Sequence, residues 1–150
     1  MTSEYSVHEL VPHSGRMSLL SRIIDYGDDW LSAEVVIGSD SMFADSRGVP
    51  AWVGLEYLAQ AIGAYAGLQE RQKGLQPQLG FLLGTRKYSC SAEYFTLGDR
   101  LQIKVTKNMQ AENGLSAFEC ALQGEGCEAN ASLNVFQPED AEKFLQDAKE

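Results

Sequence analysis

Between Trp30 and Ile37 the chain alternates: Leu31, Ala33, Val35 and Ile37 fall on one side, Trp30, Ser32, Glu34 and Val36 on the other. A period of two predicts a strand in a sheet with one face covered. Upstream, "MSLLSRIIDY" reads as its partner strand, joined to it through Gly27-Asp28-Asp29. The pattern then changes. After the irregular "SDSMFADSRG", residues from about 50 to 68 are apolar or small almost throughout, with Glu56 and Gln60 as the two strongly polar side chains. This is a long helix built for burial, and Pro50 suits its first turn, where a missing N–H is not needed. A polar connection, "QERQKGLQPQ", follows. From Leu79 onward four strand-like runs are separated by "TLGD", "AENG" and "GEG", of which Asn-Gly is a strong hairpin signal. A short helix over Glu4–Leu10, stopped by Pro12, completes the predicted elements.

A single apolar helix set early in an antiparallel sheet predicts an α+β domain, with the sheet wrapped round the helix. Such a sheet leaves an edge or a face to be covered, so a dimer is expected. At 150 residues the chain reads as one domain, 1–150, with an acidic C-terminal tail over about 138–150. A net charge of −9 argues against nucleic acid as the main partner, since phosphate binding needs a dominant basic surface. Read as a membrane span, residues 51–68 would leave Glu56 in hydrocarbon at a cost of about 3 kcal/mol, so a buried helix is the better reading. "MTSEYSVHELVPHSG" has neither the basic start nor the apolar run of a secretory signal. Cys90, Cys120 and Cys127 are odd in number and lack a CxxC pair, which fits reduced core thiols in a cytoplasm. With only His8 and His13 besides, no metal site is expected.

The chemistry concentrates on the helix. At 100° per residue Glu56 shares its face with Trp52, Ala59, Gln60, Gly63 and Gly67. Each glycine there costs about 1 kcal/mol of helix propensity against alanine, so something is expected to approach that surface closely. Two readings of Glu56 stand: a salt-bridged or solvent-facing carboxylate, or a desolvated carboxyl poised for proton transfer. Gln60, one turn on, either holds Glu56 by a hydrogen bond or satisfies a backbone carbonyl.

"LEYLAQAIG" resembles the central helix of the hotdog-fold (3R)-hydroxyacyl-acyl carrier protein dehydratases, with glutamate, Ala-Gln-Ala and glycine at Glu56, Ala59, Gln60, Ala61 and Gly63. "ELVPHSGRMSLLSRIIDY", "LGFLLGTRKYSCSAEYFTLGDRLQI" and "GLSAFECALQGEGCEANASLNVF" resemble the opening, middle and closing segments of that family, so the likeness covers roughly residues 5–137. "PHSGRM", "FADSRGVPAWVGLEYLAQAI", "LGFLLGTRKY" and "LNVFQPED" are similar, more narrowly, to the dehydratase-like proteins of bacterial aryl-polyene clusters. The resemblance implies a hotdog fold, a carrier-protein substrate, a pocket at a dimer interface, and no metal or organic cofactor.

One departure matters. The family's catalytic histidine precedes its glutamate by fourteen residues, and here that position is Met42, followed by Phe43. Methionine cannot remove a proton. His13, in "VPHSG", is the candidate replacement base, and it reads equally as a capping or packing residue; His8 has the weaker claim. The family's Pro-Gly at the helix start has become Pro50-Ala51, which still offers backbone N–H groups to a thioester oxygen. The resemblance therefore implies Glu56 as acid, His13 as base, and Ala51, Trp52, Gln60 and Phe43 against the substrate. Arg86 and Lys87 lie where such enzymes dock an acidic carrier protein, with Arg16, Arg71 and Lys73 as further basic groups. The expected reaction is dehydration of a 3-hydroxyacyl thioester to the trans-2-enoyl thioester. Two alternatives remain: a non-catalytic subunit of a heteromeric hotdog dehydratase, and a hotdog thioesterase in which Glu56 activates water. Homodimer and heterodimer both stay open.

Overall fold

A computed structural model describes residues 19–72, 81–110 and 115–136. The expected helix over Glu4–Leu10, His13, the "AENG" turn and the C-terminal tail lie outside them. Within them the order is β1 (Arg22–Tyr26), β2 (Trp30–Val36), β3 (Val49–Pro50), α1 (Val53–Gln72), β4 (Phe81–Cys90), β5 (Tyr94–Phe95), β6 (Arg100–Gln110), β7 (Leu115–Gln123) and β8 (Glu128–Phe136). Six strands form one antiparallel sheet in the order β1-β2-β6-β7-β8-β4. Helix α1 packs across its middle strands, β2, β6, β7 and β8.

Alternation decides what the sheet buries. Leu31, Ala33 and Val35 of β2, Leu101, Ile103 and Val105 of β6, and Phe118, Cys120 and Leu122 of β7 all point to the helix and are buried. The helix answers with Val53, Tyr57, Leu58, Ala61, Ile62, Ala64, Tyr65 and Leu68. Full burial of one such large apolar side chain contributes about 1.5–3 kcal/mol, so this seam holds the domain together. Tyr65 adds a polar fastening, its hydroxyl donating to the Asp28 carbonyl in the β1–β2 turn at 2.5 Å.

Glu34 departs from the simple pattern. It sits on the outward side of β2 yet is only 3% exposed. Arg22 from β1, Arg100 from β6 and Gln102 from β6 close over it, at 3.2, 3.1 and 3.1 Å. Alternation alone could not show this, because the cover comes from long polar side chains on neighbouring strands. Hydrogen bonding by Arg22 chiefly, aided by Gln102 and the charge of Arg100, holds the Glu34 carboxyl below its ordinary range.

The helix begins later and ends later than the 50–68 expected from the sequence. Pro50 belongs to β3, opposite Tyr94 of β5, and the first α-helical residue is Val53. The two-residue β3–β5 ladder was illegible in the sequence, because so short a pairing leaves no periodicity. At the other end the helix formers Gln69, Glu70, Arg71 and Gln72 carry it one further turn. No helix among the described residues is long and apolar enough to cross a membrane.

Candidate active site

The helix N-terminus is fixed from both sides. Gly48 has φ +119°, and a Cβ there would lie 2.0 Å from the Phe95 carbonyl oxygen, so only glycine lets the chain cross β5 this closely. The Ala51 N–H donates to the Glu93 carbonyl at 2.8 Å, and the Tyr88 hydroxyl donates to the Ala51 carbonyl at 2.5 Å. Tyr88 reaches this point across Gly54, where a Cβ would be 2.5 Å from the hydroxyl oxygen. Burial pushes the Tyr88 phenol well above its ordinary range, so it stays a neutral donor.

Ala51 is thereby committed to the fold. Its N–H has the Glu93 carbonyl as acceptor at 2.8 Å, and the backbone donors left at the helix start are those of Trp52 and Val53. Neither of these N–H groups has an acceptor among the described residues. Unpaired amides at a helix start carry partial positive charge and suit a developing oxyanion.

The loop ahead of the helix is tightly self-bonded. Ser41 Oγ accepts from Gly38 N–H, the Ser41 carbonyl accepts from Ala44 N–H, and Asp45 and Gly48 exchange both backbone bonds. Arg47 grips Asp45 at 2.7 Å and lies 4.5 Å over the Tyr94 ring. Arg47, as the main cause, lowers the Asp45 carboxyl from its ordinary value. Within this loop Phe43 has φ +69°, a left-handed conformation that costs a bulky residue about 1–3 kcal/mol. The strain sets the ring against Trp52, with centroids 5.0 Å apart. Both rings remain open to solvent, Phe43 at 55% and Trp52 at 61% exposure. Met42, in the place of the family base, is half-buried beside it.

Glu56 lies one turn along α1 from Trp52 and is exposed in the single chain. The described residues leave it open to solvent, the first of the two readings of this side chain. The reason is geometric: the sheet covers the Tyr57, Leu58, Ala61 side of the helix, while Trp52, Glu56, Ala59 and Gly63 face away from it. Any apolar cover for Glu56 must come from outside these residues. Gln60 differs from its neighbour, being 2% exposed. Its Oε1 accepts from the Leu19 N–H at 2.8 Å, and its Nε2 donates to Glu56 Oε1 at 3.3 Å.

Of the sequence-predicted residues, Phe43 and Trp52 pair at the start of α1, and Glu56 and Gln60 are hydrogen-bonded to each other further along it. His13 and the Arg86 side chain fall outside the described residues. Lys87 is exposed on β4. Tyr88, Arg47 and Tyr94 were missed, since their contribution depends on contacts with segments distant in sequence. A cavity of about 410 Å³, lined by Asp99, Arg100, Gln102, Gln123 and Glu125, opens on the sheet's outer face and contains none of the predicted site residues. No cluster of three His, Cys, Asp or Glu able to hold a metal occurs among the described residues.

No curated protein is significantly similar in sequence. Among solved structures, the dehydratase heterocomplex ApeI:P from Xenorhabdus doucetiae matches with a TM-score of 0.83 and 27% identity, covering 96% of this chain and 98% of the other. The PaaI protein of the E. coli phenylacetic acid degradation operon matches at 0.60 and 11% identity, over 77% of this chain and 81% of its own. A hypothetical thioesterase with coenzyme A from Streptococcus pneumoniae TIGR4 matches at 0.54 and 14%, over 79% and 88%. The last two matches speak to architecture, and they agree with an antiparallel sheet around one helix in assigning the hotdog fold. The model of the ApeP-like family, described as ApeP dehydratase, matches residues 5–146. That span takes in the strained loop, the helix start and Glu56, and the chain is a hotdog-fold member of the ApeP-like dehydratase family.

Proposed function

We propose that this chain acts on a 3-hydroxyacyl thioester carried by acyl carrier protein, expelling water to leave the trans-2-enoyl thioester in polyene-type or fatty-acid biosynthesis. The observation that carries this reading is the placement of Glu56. It stands one turn beyond a helix start whose Trp52 and Val53 N–H groups await an acceptor. A thioester oxygen held at those amides brings C2 and C3 of the acyl chain alongside the carboxyl. Charge building on that oxygen as C2 loses its proton is stabilised by the amides. The exposed rings of Phe43 and Trp52 offer the apolar wall for the acyl chain. Lys87 on β4, with Arg86, is the docking point for the acidic carrier. The chain works in the cytoplasm, where Cys90, Cys120 and Cys127 stay reduced.

The partner in this reading is a second hotdog subunit laid over the Trp52–Glu56–Ala59–Gly63 face. Its apolar surface closes the pocket and excludes water from Glu56. The heteromeric character of the ApeI:P neighbour, together with methionine at position 42, favours a non-identical partner. Purified protein is assayed with 3-hydroxyacyl-carrier protein, alone and with a candidate second hotdog subunit. Enoyl product supports dehydration, and product appearing only with the partner supports a heteromeric enzyme. Free acid instead of enoyl product would replace the reading with a thioesterase.

A further inference from the structure

Arg47 stands in the loop that leads to the helix, between the Ser41–Ala44 turn that carries Phe43 and the β3 residue Pro50. Its guanidinium is fixed on two sides. Nε and Nη2 both donate to Asp45 Oδ2, at 3.2 and 2.7 Å, while Asp45 Oδ1 accepts the Arg47 backbone N–H at 2.8 Å. The group also lies 4.5 Å over the ring of Tyr94, which faces Pro50 across the β3–β5 ladder just ahead of α1. A guanidinium has five N–H donors, and Asp45 takes two of them. Nη1 has no acceptor among the described residues, and the side chain is 65% exposed. An exposed ion pair contributes little to stability. This one instead removes in advance the side-chain freedom that meeting an anion would cost. Arg22 and Arg100 differ, since both are engaged with Glu34 on the outer side of the sheet.

We propose that Arg47 binds the phosphate at the far end of the carrier's pantetheine arm, anchoring the arm while its thioester lies at the Trp52 and Val53 amides. This rests on the dehydratase reading above. The arm carries two neutral amides and a single anionic group, the phosphate that joins it to the carrier. Trp52 follows Arg47 by five positions, a stretch that spans at most about 18 Å. One extended arm therefore reaches from the guanidinium to the helix start. The unspent N–H groups on Nη1 and Nη2 suit two phosphate oxygens, the forked pairing in which arginine surpasses lysine. Asp45 and Glu93 offset the charge of Arg47, so the contact acts through fitted hydrogen bonds at short range. Lys87 meets the carrier's protein surface, whereas Arg47 meets its prosthetic group. Asp45 and Tyr94 are the positioning residues that hold the fork in place.

The test uses one 3-hydroxyacyl group on different thiols: carrier protein, phosphopantetheine alone, and pantetheine without the phosphate. All are measured on the assembly that gives turnover. In the unaltered protein the phosphate should lower KM about tenfold, phosphopantetheine against pantetheine. The ratio should appear in KM and not in kcat, because a contact far from the reacting atoms binds ground and transition states alike. Arg47→Met keeps an unbranched stem without donors and should bring the ratio near one. Arg47→Lys keeps the charge without the fork and should fall between; it carries the test if melting curves show Arg47→Met unfolded. A ratio near one in the unaltered protein, or one that survives in Arg47→Met, overturns the proposal. So does a KM that rises equally with and without the phosphate, which leaves Arg47 to the loop. A rise confined to the carrier-borne substrate overturns it too, assigning Arg47 to the carrier's protein surface. Coenzyme A bears a diphosphate at the same place, and a higher kcat/KM on its thioester than on the carrier's would overturn the carrier as source. Dehydration stands through all of these outcomes. Absence of any enoyl product from the unaltered protein, with and without partner, removes the functional reading and this inference with it.

Discussion

Single residues carry strain and charge whose consequences are measurable. At Gly48 a methyl group would meet the Phe95 carbonyl at 2.0 Å on a backbone already at φ +119°. Gly48→Ala is expected to lose about 2 kcal/mol or more of stability in urea unfolding, since both the backbone and β5 must shift. Glu34 makes an acid-sensitive fastening. Its carboxyl is lowered below the ordinary 4.5 by Arg22 first, so the folded state favours the carboxylate. The stabilisation is complete above about pH 4.5 and is lost as pH falls through the lower folded value. Thermal unfolding followed from pH 6 to pH 3 should therefore decline steeply at its acid end. Glu34→Gln should start lower and flatten that decline, while an unchanged slope would mean that Glu34 is not the group responsible. Glu34 also marks what the sequence conceals: alternation correctly put it on the outer side of β2, but only the neighbouring strands reveal that it is covered.

Elements were legible where a periodic pattern ran long enough. The β2 alternation and the apolar run of α1 each repeat several times, and both elements were found. The α1 boundary was displaced because Pro50 satisfies the rule for a helix start and the rule for an edge strand equally well. Its pairing with Tyr94, 44 positions away, decided between them. The site shared this fate. Glu56 and Gln60 were visible as polar exceptions on an apolar helix, whereas the peg from β4, Tyr88 on the Ala51 carbonyl, was not. Tyr88→Phe removes one hydrogen bond and is expected to cost about 1 kcal/mol in stability. If the peg also sets the Trp52 and Val53 amides, kcat should fall with KM little changed. A loss confined to stability would assign Tyr88 to the fold alone.

At the scale of the whole molecule, the sheet covers one side of α1 and leaves the other more open, with Trp52 and Glu56 exposed and Ala59 and Gly63 partly buried. The expectation of close approach, drawn from the small residues on that face, concerns this open side. Residue sizes fall from the indole at Trp52 to alanine and glycine further along, leaving room for a second body to lie against the backbone. Ala59→Arg places a long cation in the middle of that face. Arginine is a good helix former, and position 59 is only partly buried in the single chain, so the domain itself should stay folded. Association with the second hotdog subunit should weaken by at least tenfold, because an unpaired charge at the centre of an interface must be desolvated or expelled. Light-scattering mass across a dilution series, with melting curves as the folding control, measures this directly. Enoyl formation should fall in step with assembly, since a pocket whose second wall is missing leaves Glu56 in water. An unchanged mass and unchanged turnover would place the partner on another face of the domain and leave the Glu56 pocket to be closed by this chain alone.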